Sequence, residues 1–569
     1  MPKSTSRRSL AGVSGGRHSP IMKNSLPIAA LALVTAMPLA AQSRDPVHAP
    51  RGMVATSQLL ASAAGREVLA QGGNAVDAAV AAAAVLAVVE PHMTGIGGDM
   101  FALVWSAGER RLVALRSSGR AGAGMTREAI LARGHTAVPD RGPEPVTVPG
   151  ALAGWDALVR RYGTRSLGEL LQPAIRIADS GFAVTPIIAR QWAGNVAVLR
   201  RDAGARHTFL VDGVRAPAAG EWFRNPDLAA TLRQVAAEGP AALYGGSLGA
   251  RVVERLGQLG GFLTLADLRA HEVEWVEPIS APYRGYRLWE LPPPNQGIAA
   301  LMMLRLLEPY DLAALGHNSA PYLHRLIEAK KLAFADLARY VGDERAMTVG
   351  APALLDDEYL AGRRRLLDTT RAMARIEPGS PATASETIYL TTADSAGNMV
   401  SFINSLYEEF GSGIVVPGTG FALQDRGAGF SLEPGLPNTV APGKRPRHTL
   451  IPAFVTRRTP ASEEPWMSFG VMGGAMQPQG HVQVLLDLVL FGMNPQQAAD
   501  APRFRHYDGL RVALEEGMPP GVREALAALG HQVETLHPDA AGGAQLIRRD
   551  GTGWVAGSDR RKDGGALGW

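Results

Sequence analysis

A chain of 569 residues exceeds one ordinary hydrophobic core, so two domains or two closely packed segments are expected. Its 57 basic and 53 acidic residues are spread along the chain, which excludes the clustered positive charge of a nucleic-acid-binding surface. Cysteine is absent, and with it thiol nucleophiles, thiolate metal sites and disulfides.

In chain order, residues 1–21 read as a polar upstream extension. From Met22, "MKNSLPIAALALVTAMPLAAQS" carries a lysine, an apolar run and small residues before Gln42, which predicts a cleavable export signal over about 22–41. Export implies a periplasmic or secreted protein. The apolar run is shorter than the roughly 20 residues of a membrane helix. Pro27 and Pro38 also interrupt it, so an uncleaved anchor is the weaker alternative.

Next come a helix closed by Gly72 and Gly73, a second helix from about Asn74 to Val89, and a glycine turn into the strand "MFALVW". "SLGELLQPAIRIADSG", "PDLAATLRQVAAEG" and "YLHRLIEAKKLAFADLARYVGD" have helical spacing. From Glu386 onward short alternating strands dominate: "TIYLTTAD", "MVSFINSLY", "GIVVPGTGFALQD" and "WMSFGVMGG". Helices return in "HVQVLLDLVLFGM" and "GVREALAALG". This predicts a mixed, layered α+β architecture with its antiparallel sheet concentrated behind the Pro- and Ser-rich segment "IEPGSPATASE".

Three motifs invite conventional chemistry and fail on context. "HEVEW" at His271 lacks the second histidine of H-E-x-x-H, so no catalytic metal is expected. "GGSLG" at Gly245–Gly249 matches a serine nucleophile elbow, but no buried strand precedes it, and a helix start near Ser247 fits better. "TGIGGDM" leads into a strand and lacks G-K-[ST], which favours a tight turn with close backbone approach over phosphate binding.

Thr387 admits two readings. The plain one is a linker meeting an edge strand, with threonine present as a β-former. The other is a chain cut between Glu386 and Thr387. A threonine hydroxyl is a weak nucleophile, and a free α-amino group on the same residue, with an ordinary pKa of about 7.7–8.0, supplies the missing base. The consecutive glycines Gly473 and Gly474 in "GVMGGAM" can then offer backbone N–H groups to an oxyanion.

At these residues the chain resembles the γ-glutamyltranspeptidase family of N-terminal nucleophile hydrolases. The resemblance runs from about His48 to Trp569, through blocks such as "GGNAVDAAVAAAAVLAVVEPHMTGIGGDMF", "LPPPNQG", "TIYLTTADSAGNMVS", "APGKRPRHTLIPA" and "GSDRRKDGGALG". It implies a four-layer αββα sandwich made by a self-cutting precursor, with a large subunit over 42–386 and a small subunit over 387–569 forming one intertwined heterodimer. It implies Thr387 as nucleophile, Ser405 as its supporting hydroxyl, and Gly473 and Gly474 as oxyanion donors. The implied reaction is transfer of a γ-glutamyl group, as from glutathione, through an acyl-enzyme to water or an amino acceptor, with no cofactor.

The substrate positions depart from the family pattern. Residues that hold the glutamyl amino group in transpeptidases align with Tyr407, Arg426 and Gly429, and the paired serines become His448 and Thr449. The carboxylate-binding arginine aligns with Ser118, with Arg120 two residues on. Losing the aspartate removes a counter-charge for an ammonium, while Arg426 favours a carboxylate. Three expectations follow: a γ-glutamyl transferase or hydrolase, an acylase for other carboxylate-bearing acyl groups such as glutaryl, or an exported binding protein without activity.

Overall fold

The structure, a computed structural model, describes residues 44–376, 386–460 and 462–569, without the side chains of Glu386 and Thr387. The expected extension and signal, and residues 377–385 of the expected linker, lie outside the described residues. The described residues form one compact unit.

Two seven-stranded sheets stack face to face. The first runs, in spatial order, Gly565–Gly568, Met53–Thr56, Glu386–Ala393, Met399–Tyr407, Asp99–Ser106, Arg111–Ser117 and Glu274–Val276. The second runs Val47–Ala49, Gly553–Ser558, Ala544–Asp550, Glu463–Val471, Ala453–Arg458, Tyr286–Glu290 and Ile279–Tyr283. Every pairing within these two sheets is antiparallel. Strands from before and after Thr387 therefore lie side by side in both sheets, which corrects the expectation of sheet concentrated behind the linker. Sequence separation hid this, because the early strands are isolated between long helical stretches.

Alternation along the strands builds the layers. Tyr389 and Ala393 join Phe101, Ile403, Phe454, Ile547 and Trp554 in the core between the sheets. Ile388 and Leu390, on the opposite face, join the helix Ala75–Val89. All 15 residues of that helix are buried, and its run of alanines lets backbone pack close to the sheet. Asn74 caps it in a reciprocal box with Asp77, and Thr392 donates to the Ala75 carbonyl at 2.6 Å. Across the molecule the helices Gly297–Leu307, Ala320–Tyr340 and Met476–Val489 cover the second sheet. The α+β, four-layer αββα sandwich is the architecture observed.

One predicted strand is absent. "GIVVPGTGFALQD" contains only an isolated bridge between Val415 and Ala422. Gly413, Gly418 and Gly420 adopt left-handed φ of 74°, 71° and 76°, which turn the backbone out of a ladder. Ser247 opens the helix Ser247–Gln258 with Gly246 at its N-cap, the helix start expected for "GGSLG".

Candidate active site

Glu386 and Thr387 open a strand that has neighbours on both sides only from Leu390 onward, where Met53–Thr56 pairs with Leu390–Ala393. At its start the described pairing is with Met399–Tyr407 alone: Glu386 lies opposite Tyr407 and Ile388 opposite Asn404. The register shifts between them, so Thr387 faces two residues, Ser405 and Leu406, across a bulge. Ser405 Oγ accepts the Tyr407 N–H at 2.8 Å, which leaves the serine proton to be donated. The turn "TGIGGD" approaches this point closely. A Cβ on Gly98 would lie 2.3 Å from the Ser405 carbonyl oxygen, so only glycine fits, the close approach its sequence predicted.

Asp99 pairs with Ser405 in the ladder, and its buried carboxylate is a hub. It accepts from the N–H groups of Gly119 and Gly150, from Gln424 Nε2 and from His448 Nε2, each at 3.1 Å. Burial pushes its pKa up to about 6, against the pull of Arg426 and these donors. His448 Nδ1 accepts the Leu450 N–H at 3.2 Å, so Nε2 carries the proton given to Asp99. Burial, then Arg426 nearby, hold this imidazole well below its ordinary pKa. A neutral ring with both nitrogens engaged orients its segment and is not positioned as an acid or base.

Arg426 is fully buried. Its guanidinium lies 4.3 Å from the centre of the Tyr407 ring, donates to Thr449 Oγ1 at 2.8 Å and sits 4.0 Å from Asp99. Tyr407, Arg426, His448 and Thr449 thus form one cluster beside the strand start. Arg120 is committed elsewhere: its guanidinium reaches Asp343 at 3.3 Å and Glu274 at 3.2 Å, in a network that includes Arg116, Arg345 and Arg445. Ser118 is buried, and among the described residues its hydroxyl has no hydrogen-bond partner.

Gly473 and Gly474 adopt φ of 110° and 57° and lead into the helix Met476–Val489. Among the described residues neither N–H donates a hydrogen bond, so two donors and a helix N-terminus stand together. Gln296 Nε2 ties the Gly474 carbonyl (2.7 Å) to the Thr449 carbonyl (2.8 Å). Asn295 Nδ2 donates to the Leu450 carbonyl, and the His448 N–H to the Pro294 carbonyl at 2.8 Å. "LPPPNQG" is therefore a clamp joining the paired glycines Gly473 and Gly474 to the His448 cluster.

Gln424, Asn295 and Gln296 carry roles that no sequence motif marks, whereas Asp99 stands in "TGIGGDM", where a functional role is the less favoured reading. Their available signal was a polar side chain set among glycine or proline between apolar elements. Gly429 faces Tyr407: a Cβ there would lie 3.2 Å from the Arg447 carbonyl oxygen and 3.9 Å from the Tyr407 hydroxyl. Asn438 fixes this edge, donating to the Gly429 carbonyl and accepting the Arg447 N–H, both at 2.7 Å.

A protein-family model described as gamma-glutamyltranspeptidase matches residues 61–569. The chain is 38% identical over 527 residues to the glutathione hydrolase-like YwrD proenzyme of Bacillus subtilis (strain 168), covering 91% of this chain and 98% of that protein. It is 36% identical over 524 residues to the acylase ACY 1 proenzyme of Pseudomonas sp. (strain V22), covering 90% and 93%. The solved cephalosporin acylase of Bacillus halodurans superposes with a TM-score of 0.88 at 43% identity, over 94% of this chain and 98% of that one. With its sandwich of two sheets, a threonine at a strand start and paired glycines at a helix start, the chain belongs to the γ-glutamyltranspeptidase family of N-terminal nucleophile hydrolases.

Proposed function

We propose that this enzyme cuts itself between Glu386 and Thr387 and then hydrolyses amides of carboxylate-bearing acyl groups that lack an α-ammonium, such as glutaryl amides. In this mechanism Thr387 Oγ attacks the amide carbon while its α-amine takes the hydroxyl proton. Gly473 and Gly474 donate N–H groups to the oxyanion, a contribution of about 2.7–4 kcal/mol per donor in favourable cases. The amine passes the proton to the leaving nitrogen, the C–N bond breaks, and water then releases the acid from the ester. Ser405 supports Thr387 by donating a hydrogen bond to the attacking oxygen. The large and small subunits remain one heterodimer, and the segment over about 22–41 directs export to the periplasm or outside the cell.

The observation that carries the substrate reading is the Gly429 edge. No carboxylate stands at Gly429, and a Cβ there would meet the Arg447 carbonyl oxygen tightly at 3.2 Å with the Tyr407 hydroxyl in ordinary contact beyond it. An α-ammonium held there would lack a counter-charge and sit near the Arg426 and Arg447 guanidinium groups. Likeness to the acylase and cephalosporin acylase supports the same reading. A second reading, γ-glutamyl hydrolysis, is favoured by likeness to the glutathione hydrolase-like proenzyme. Release of p-nitroaniline from glutaryl and γ-glutamyl derivatives decides between them. The proposal expects the higher kcat/KM for glutaryl, and a strong preference for γ-glutamyl would overturn it.

A further inference from the structure

We infer that Arg447, which lies outside the positions matching the family's binding residues, grips the carboxylate at the far end of the acyl group. The inference rests on the amidohydrolase reading and deepens it. The other arginines around the cluster each have a charged or hydrogen-bonded partner, although Arg426 keeps Nε and Nη2 without a hydrogen bond among the described residues. Arg116 and Arg445 bind Glu274, Arg120 binds Asp343 and Glu274, and Arg141 donates to the carbonyls of Glu409 and Gly411. Arg426 is sealed beneath Tyr407 with Thr449 and Asp99 as partners.

Arg447 differs. Among the described residues its guanidinium makes no hydrogen bond or ion pair, although its backbone N–H is fixed by Asn438. It is half-buried, keeping accessible surface. Yet surrounding protein lowers its pKa by burial, with Tyr407 pulling the other way. A desolvated cation without a counter-ion gains most from a bidentate carboxylate.

Its neighbours place that carboxylate. Arg447 precedes His448 and Thr449, whose carbonyl is tied through Gln296 to Gly474. Its own carbonyl abuts Gly429, beside the Tyr407 hydroxyl. The acyl chain would therefore run from the oxyanion glycines along Thr449 toward Tyr407, with its terminal carboxylate on Arg447. The chemical class is an acyl group ending in a carboxylate.

The test compares wild type, Arg447→Gln and Arg447→Lys after self-processing, on glutaryl-p-nitroanilide and the uncharged pentanoyl-p-nitroanilide. Arg447→Gln should raise KM for the glutaryl substrate about tenfold or more with kcat nearly unchanged, leave pentanoyl unaffected, and be partly rescued by Arg447→Lys. Equal effects on both substrates, or none on glutaryl, would overturn it. Inhibition of the wild type adds a check needing no variant: glutarate should inhibit at least about tenfold more tightly than pentanoate. Equal inhibition by the two acids also defeats the inference. If the enzyme prefers γ-glutamyl, the amidohydrolase reading fails but that substrate still bears a carboxylate. The Arg447 comparison is then run on γ-glutamyl-p-nitroanilide, where the same rise in KM supports the grip and an unchanged KM overturns it.

Discussion

At φ 87°, Tyr407 holds a left-handed backbone that costs a non-glycine residue about 1–3 kcal/mol. Its N–H bonds to Ser405 Oγ, its ring carries Arg426, and its backbone lies opposite Glu386. The strain is thus held in place at the bond proposed to break, and the same residue closes the space above Gly429. A carboxylate added alone as Gly429→Asp should fail to create an ammonium site, because the tyrosine hydroxyl occupies its path. Pairing it with Tyr407→Asn should shift the ratio of γ-glutamyl to glutaryl kcat/KM upward by about tenfold or more, about 1.4 kcal/mol of discrimination. Equal ratios for the single and double variants would show that Tyr407 does not gate the subsite.

Elements hold the site by close backbone approach. The turn before Asp99–Ser106 reaches the Ser405 carbonyl so tightly that Gly98→Ala places a methyl group 2.3 Å from that oxygen. Neither backbone can retreat without moving the Asp99 hub. Gly98→Ala should destabilise the fold by about 2 kcal/mol or more and leave the chain uncut, read by thermal unfolding and electrophoresis. Normal processing at unchanged stability would show that this turn does not hold the site. Glycine clusters and strand alternation made these elements legible in sequence: Met399–Tyr407 occurs as expected, and Ala75–Val89 departs by one residue. "GIVVPGTGFALQD" misled because its apolar alternation is strand-like while its glycines turn the chain. The Asp99 hub was illegible for another reason. Its donors come from Gly119, Gly150, Gln424 and His448, which meet only when both sides of Thr387 share one sandwich.

Across the whole molecule, buried charge sets the response to pH. Burial raises Glu90 and Asp425 to about 7 and Asp99 to about 6, above their ordinary values of 4.5, 3.8 and 3.8. These groups favour the folded state most when protonated, so their contribution is lost as pH rises from about 4 through 7. Asp559 runs the other way. Arg561 and Arg503 hold it near 2 despite burial, so its contribution is present above about 4 and lost toward 2. From these four groups alone, stability should be greatest near pH 4 and fall on either side. Glu90→Gln should flatten the fall above the peak in a thermal midpoint series, and an unchanged slope would show that Glu90 carries none of it. The mixed sheets carry the larger consequence, since each contains strands from both sides of Thr387. The proposed cleavage at Thr387 would leave two pieces that only denaturation separates.

N-terminal sequencing of the smaller fragment puts the role of Thr387 to its sharpest test. Wild-type protein should resolve into two bands on denaturing electrophoresis, the smaller beginning at Thr387 with "TIYLT", while Thr387→Ala stays whole and inactive. A single uncut wild-type band with amidase activity, or a fragment beginning elsewhere, would contradict the assignment of Thr387 as both nucleophile and base.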